Sequence, residues 1–129
     1  SPQQLGVGVS YLAKILIMGL RARKGDILMI ENPEIHLHPA AQARLGEFFV
    51  YLVNAGIQLL IETHCEHLIN RIQYEIYKKD ISHEDVILYY KRSIISPFDA
   101  ISFTENGKYN IDFPEGFFDA TLDNLLEME

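Results

Sequence analysis

The chain has 129 residues, 48% of them hydrophobic and 22% charged, with a formal net charge of −7 and one cysteine. This composition describes a single globular domain with enough apolar material for a core, and it excludes collagen-like, disordered and disulfide-stapled chains. Cys65 has no partner for an internal disulfide, which fits a reducing, cytoplasmic setting. The longest apolar runs, such as Ile27–Ile30, fall far short of the roughly 18 residues of a membrane span, so no membrane role is expected. The N-terminal Ser1, Pro2, Gln3 and Gln4 do not open a signal peptide, and the missing initiator Met predicts a piece of a longer protein. The acidic balance argues against unaided electrostatic binding of nucleic acid. The basic groups around Arg21–Lys24, Lys78–Lys79 and Lys91–Arg92 read as solvated ends of elements.

In chain order, the pattern predicts a helix from Val9 to Arg23, opened by Ser10 and closed near Gly25. The run Asp26–Glu31 is continuously apolar until its final acid, the signature of a strand buried on both faces. Pro39 stands at a first helical turn. Leu45, Phe48, Phe49, Leu52 and Val53 follow at helical spacing, and Gly56 ends the helix. Ile57–Ile61 is a second buried strand. Thr63 with Glu66 three residues on forms a capping box, opening a third helix with Cys65, Leu68, Ile69, Ile72 and Ile76 on its core face. Val86–Tyr90 is a third strand.

Alternation of helices and strands over residues 1–92 calls for an α/β fold, a mainly parallel sheet with flanking helices. From residue 93 the style changes. Asn106-Gly107 between two alternating runs predicts a hairpin, Pro114–Gly116 breaks its second strand, and a short helix follows from about Asp119. Residues 93–129 therefore read as a small antiparallel appendage with a terminal helix.

Chemistry-bearing residues collect where the buried strands end, the position at which open α/β sheets bind ligands. The first strand runs into Glu31-Asn32-Pro33-Glu34-Ile35-His36-Leu37-His38-Pro39, and the second into Glu62-Thr63-His64-Cys65-Glu66-His67. Gly6-Val7-Gly8-Val9-Ser10, before the first predicted helix, would let backbone N–H groups approach an anion. Two other readings stand beside a nucleotide site. His36, His38, His64, Cys65 and His67 are suitable metal ligands and would make a metal-dependent hydrolase. The chain could also be a non-catalytic dimerisation or regulatory module that keeps a catalytic fold. The tyrosines Tyr74, Tyr77, Tyr89 and Tyr90 read as half-buried structure.

The stretch from Ile27 to Pro39 resembles the Walker B and D-loop region of ABC-class P-loop ATPases, in the version found in SMC/OLD-like predicted ATPases. Glu62-Thr63-His64 resembles the switch, or H-loop, of that class. Gly6–Ser10 lies about where its signature loop would be, and Pro114–Asp119 is similar to the tail of one bacterial group of such ATPases. The resemblance implies half of a P-loop NTPase domain that uses ATP and Mg²⁺. It implies Glu31 holding Mg²⁺ directly or through water, and His64 contacting the γ-phosphate. Gly6, Gly8 and Ser10 would act on the nucleotide of an opposing head. It further implies a homodimer of ATPase heads working on DNA or a nuclease subunit. Two departures follow. No Gly-x-x-x-x-Gly-Lys-Ser/Thr is present, so the P-loop is expected in an N-terminal half outside this sequence, and this chain alone is not expected to bind or hydrolyse ATP. The usual Asp-Glu pair reads Glu31-Asn32. Since the Asn32 amide cannot serve as a base, either Glu34 polarises the attacking water or hydrolysis is slow.

Overall fold

The computed structural model describes residues 2–91 and 93–110. Helix α1 (Pro2–Arg21) leads to strand β1 (Ile27–Glu31), helix α2 (Pro39–Asn54), strand β2 (Gln58–Glu62) and helix α3 (Glu66–Tyr77). A 3₁₀ turn at His83–Asp85 then precedes strands β3 (Ile87–Tyr90) and β4 (Asp99–Ser102). Strands β1 and β2 pair in parallel, while β3 and β4 form a separate antiparallel pair. Among the described residues no helix is long and apolar enough to cross a membrane.

The main core forms where α1, α2 and α3 close over one face of β1–β2. It gathers Ile15, Ile30, Leu45, Phe49, Leu52, Ile57 and Leu68. Truncating a side chain as enclosed as Phe49 or Leu52 costs about 2–5 kcal/mol. A second cluster of Val50, Ile76, Ile81 and Phe103 lies on the other side of α2 and ties the hairpin to the helices. Helices α2 and α3 are also joined through charge. Glu75, only 3% exposed, meets Arg71 at 2.9 Å and Lys78 at 3.5 Å, and Arg71 reaches on to Glu47. A buried carboxylate persists only with such compensation.

Several expectations are met. Pro39 is the first residue of α2, and Gly56 ends that helix with φ 86°. The Asn106-Gly107 turn closes as predicted, with Gly107 at φ 77° and Phe103 bridging Tyr109. Four expectations are corrected. Helix α1 opens at Pro2 rather than Ser10, so Gly6, Gly8 and Ser10 lie within a helix instead of a loop. The continuous apolar run of β1 is covered on one face only among the described residues. Leu28 and Ile30 point inward while Ile27 and Met29 stand out, Met29 at 73% exposed. The third strand does not extend the parallel sheet. β4 is reached through a short connection whose closure is cheap, and it takes the hydrogen bonds of β3. That pairing spans the expected boundary at residue 92. Finally, the Thr63–Glu66 capping box is not formed. The N-cap of α3 is Cys65, and the Thr63 hydroxyl instead accepts the Cys65 N–H at 3.0 Å. The proposed strand end at 111–113, the Pro114–Gly116 break and the helix from Asp119 fall outside the described residues.

The helical setting of the two glycines yields opposite expectations. A Cβ on Gly6 meets nothing within 4 Å, so Gly6→Ala should stabilise by up to about 1 kcal/mol through helix propensity. A Cβ on Gly8 would lie 3.0 Å from the Cβ of His36, so Gly8→Val should cost about 1–3 kcal/mol. Chemical denaturation measures both. At the hairpin, a Cβ on Gly107 would run into the carbonyl oxygen of Gln73, and its φ is left-handed. Gly107→Ala should therefore cost about 2 kcal/mol or more, read as a lowered melting temperature. Burial pushes the Tyr109 phenol up to about 12 from its usual 10.0. The stability it contributes is full below pH 10 and lost as the pH rises towards 12, which tyrosinate absorbance recorded alongside circular dichroism should reveal.

Candidate functional site

The parallel register places Glu31 opposite Glu62, so the two loops that follow leave the sheet side by side. The N–H of Asn32 donates to the carbonyl of Glu62 at 2.8 Å, carrying the ladder one residue beyond the strand. The chain then turns sharply. Asn32 adopts φ 45°, a left-handed conformation that asparagine tolerates better than glutamate does, which supplies a backbone reason for the amide at this position. Two local bonds stiffen the turn: the Ile35 N–H donates to the Asn32 carbonyl at 3.2 Å, and the Leu37 N–H to the Glu34 carbonyl at 3.0 Å. Pro33 is fully buried beneath it, and His36 is also left-handed at φ 61°. His38 closes the loop as the N-cap of α2, its Nδ1 accepting the Ala40 N–H at 3.3 Å.

The loop after β2 is held against this turn by a side chain thirty positions away. Oε1 of Glu34 accepts the backbone N–H of His64 at 3.1 Å. Oε2 of the same carboxylate is shut off from solvent and has no hydrogen-bond donor among the described residues. The His64 imidazole projects outward, 81% exposed, with Nε2 at 4.0 Å from a Glu62 carboxylate oxygen. Helix α1 completes the assembly, because the Tyr11 hydroxyl donates to the Glu31 carbonyl and Gly8 lies against His36.

Glu31, Asn32, Glu34 and His64 thus belong to one constellation at the carboxyl end of the two-stranded sheet. Gly6 and Ser10 are exposed on α1, and Gly8 is buried at the His36 contact. Within a helix that opens at Pro2, the N–H groups of Gly6, Gly8 and Ser10 are taken by intrahelical bonds. The expected backbone anion cradle is therefore corrected, which leaves the Ser10 hydroxyl as the polar group of that segment. The metal-centre reading is corrected too. Among the described residues no group of three His, Cys, Asp or Glu side chains converges on a point that could hold a metal. His38 is engaged in capping, and Cys65 directs its Sγ to the Gln42 side chain at 3.4 Å.

Tyr11 and Gln42 are the site residues that sequence reasoning passed over. Each acts across segments whose proximity only folding creates. The spacing of Tyr11 within α1 marks it merely as one more residue near the core stripe.

The comparisons with known proteins bear on the same region. A family model described as an AAA ATPase domain matches residues 2–69, just over half of the chain. That match covers α1, both parallel strands, α2, and both loops of the constellation. The Old nuclease of Escherichia phage P2 is 35% identical over 72 residues, covering 50% of this chain and 12% of the relative. The chain therefore spans only a small part of that protein. No solved structure matches. The α/β arrangement, with its strand-end acids and threonine–histidine loop, and the family match over the same residues converge on one conclusion: the chain belongs to the AAA ATPase domain family.

Proposed function

We propose that the chain is the C-terminal portion of an ATPase head of the ABC/SMC/OLD-like kind, with residues 1–92 carrying signature, Walker B, D-loop and H-loop elements and 93–129 appended to them. The observation that carries this reading is the in-register pairing of β1 with β2, which sets Glu31 beside Glu62 and sends the Glu34 and His64 loops out together. A P-loop from upstream sequence would meet them there. The exposed apolar face of Ile27, Met29 and Leu60 supports this, since a two-stranded parallel sheet is rarely left uncovered.

The donor set suits Mg²⁺-ATP. Glu31 presents an exposed hard-oxygen ligand of the type Mg²⁺ takes while keeping several waters. Bound Mg²⁺ supplies neutralisation of phosphate charge. His64 offers an exposed imidazole to the γ-phosphate, and Ser10 an exposed hydroxyl to the nucleotide of an opposing head. Asn32 stands where a catalytic carboxylate is usual, which favours slow turnover. We propose further that a homodimer of such heads works on DNA or a nuclease subunit, a reading in keeping with the name of the phage relative, a nuclease.

In the full-length protein, Glu31→Gln should abolish hydrolysis while sparing the fold. His64→Ala should leave ATP binding nearly intact and slow hydrolysis by about 10². Ser10→Arg should permit ATP binding but block ATP-dependent dimerisation. Mixing Ser10→Arg with Glu31→Gln protein should restore roughly one working site per mixed dimer, because both defects then fall in the same composite site. Mixed dimers without hydrolysis above either mutant would remove the two-head arrangement. A full-length protein that binds no nucleotide would favour a regulatory relic instead.

A further inference from the structure

Glu34 is built for a task other than proton abstraction. One of its carboxylate oxygens is committed to the His64 N–H at 3.1 Å, and the other is closed off from solvent. A general base needs a free oxygen within reach of a water. Glu34 offers a partnered oxygen and an enclosed one. Its backbone is equally committed. The Glu34 carbonyl accepts from Leu37, the preceding Pro33 is buried, and the Asn32 N–H is bonded to β2 through Glu62. The carboxylate therefore extends from a stiff turn and grips the backbone of the histidine loop.

We propose that Glu34 is a positioning residue: a strut that fixes the main chain at His64 so that the imidazole leaves the β2–α3 loop in one defined direction. The idea rests on the ATPase reading for its catalytic consequence, but the strut itself is a property of the folded chain. The loop is anchored at its two ends, by β2 and by the Cys65 Sγ at 3.4 Å from Gln42, which leaves the His64 main chain between them. Thr63 Oγ1 accepts the neighbouring Cys65 N–H, and the N-cap Cys65 gives α3 no side-chain cap. The hydrogen bond from the His64 N–H to Glu34 joins positions thirty apart and acts on the His64 main chain itself.

The strut needs an acceptor at Oε1 and no charge. Glu34→Gln keeps the acceptor and removes a carboxylate whose second oxygen lacks a donor among the described residues. Glu34→Ala removes the acceptor altogether. The test uses the full-length protein and two readouts. In amide hydrogen exchange without nucleotide, Glu34→Ala should speed exchange across residues 62–67 by about tenfold or more, whereas Glu34→Gln stays within a few-fold of wild type. In steady-state hydrolysis, Glu34→Ala should lower kcat by about 10–100-fold with KM little changed, and Glu34→Gln should recover most of that loss. A Gln variant as slow as the Ala variant, with wild-type exchange, overturns the strut and makes Glu34 the base. Unchanged exchange in Glu34→Ala overturns it directly. A wild-type protein that hydrolyses no ATP defeats the ATPase reading alone, because the exchange result still decides whether Glu34 holds the loop.

Discussion

The register between β1 and β2 is the constraint on which the site depends. Side chains alternate along a strand, so a slip of one residue would turn Ile30 out of the core and carry Glu31 away from Glu62. Burial of Ile30 among Ile15, Leu45 and Phe49 makes that slip expensive. Apolar packing, with no polar contact of its own, thereby decides where two acids and a histidine emerge. The chemistry of the loops is inherited from the core beneath them.

Two kinds of fastening meet above that core. Backbone bonds, such as Asn32 to Glu62, continue the sheet and fix the start of each loop. Side-chain contacts then hold the loops to one another and to α1: Glu34 to His64, Tyr11 to Glu31, and Gly8 against His36. The left-handed residues Asn32 and His36 show the cost of this arrangement, because non-glycine residues persist there only when their surroundings over-determine them. The family match spans these fastenings, whereas the β3–β4 hairpin lies outside it.

Much of this was legible in the sequence where the signal was local. Pro39, Gly56 and Asn106-Gly107 act through their own φ angles and need no distant partner, so the elements they bound appear where expected. The meeting of the two strand-end loops was legible for a similar reason, since neighbouring parallel strands deliver their carboxyl-terminal loops side by side. What failed depended on distance or on competition. The sequence places Thr63 and Glu66 at capping-box spacing, yet the Thr63 hydroxyl bonds to Cys65 and α3 starts later. Val86–Tyr90 reads as a strand but cannot declare its partner, and the nearer β4 claims it. Gly6 and Gly8 mimic a loop, although the helix carries them with one open side and one close approach. The bond between Glu34 and His64 has no sequence signature.

The ion cluster between α2 and α3 has a consequence for time as well as for stability. Arg71 binds Glu47 of α2 and Glu75 of its own α3, and because these pairs are partly buried salt screens them less than surface pairs, so the two helices are tied together. Strand β2 is equally fixed in the sheet. Thr63, His64 and Cys65 are a three-residue bridge between these anchored bodies, too short to travel far. The motion left to His64 is rotation of its exposed ring about χ1 and χ2, which takes picoseconds to nanoseconds. Reorientation of the His64 ring therefore needs no slow rearrangement of the fold.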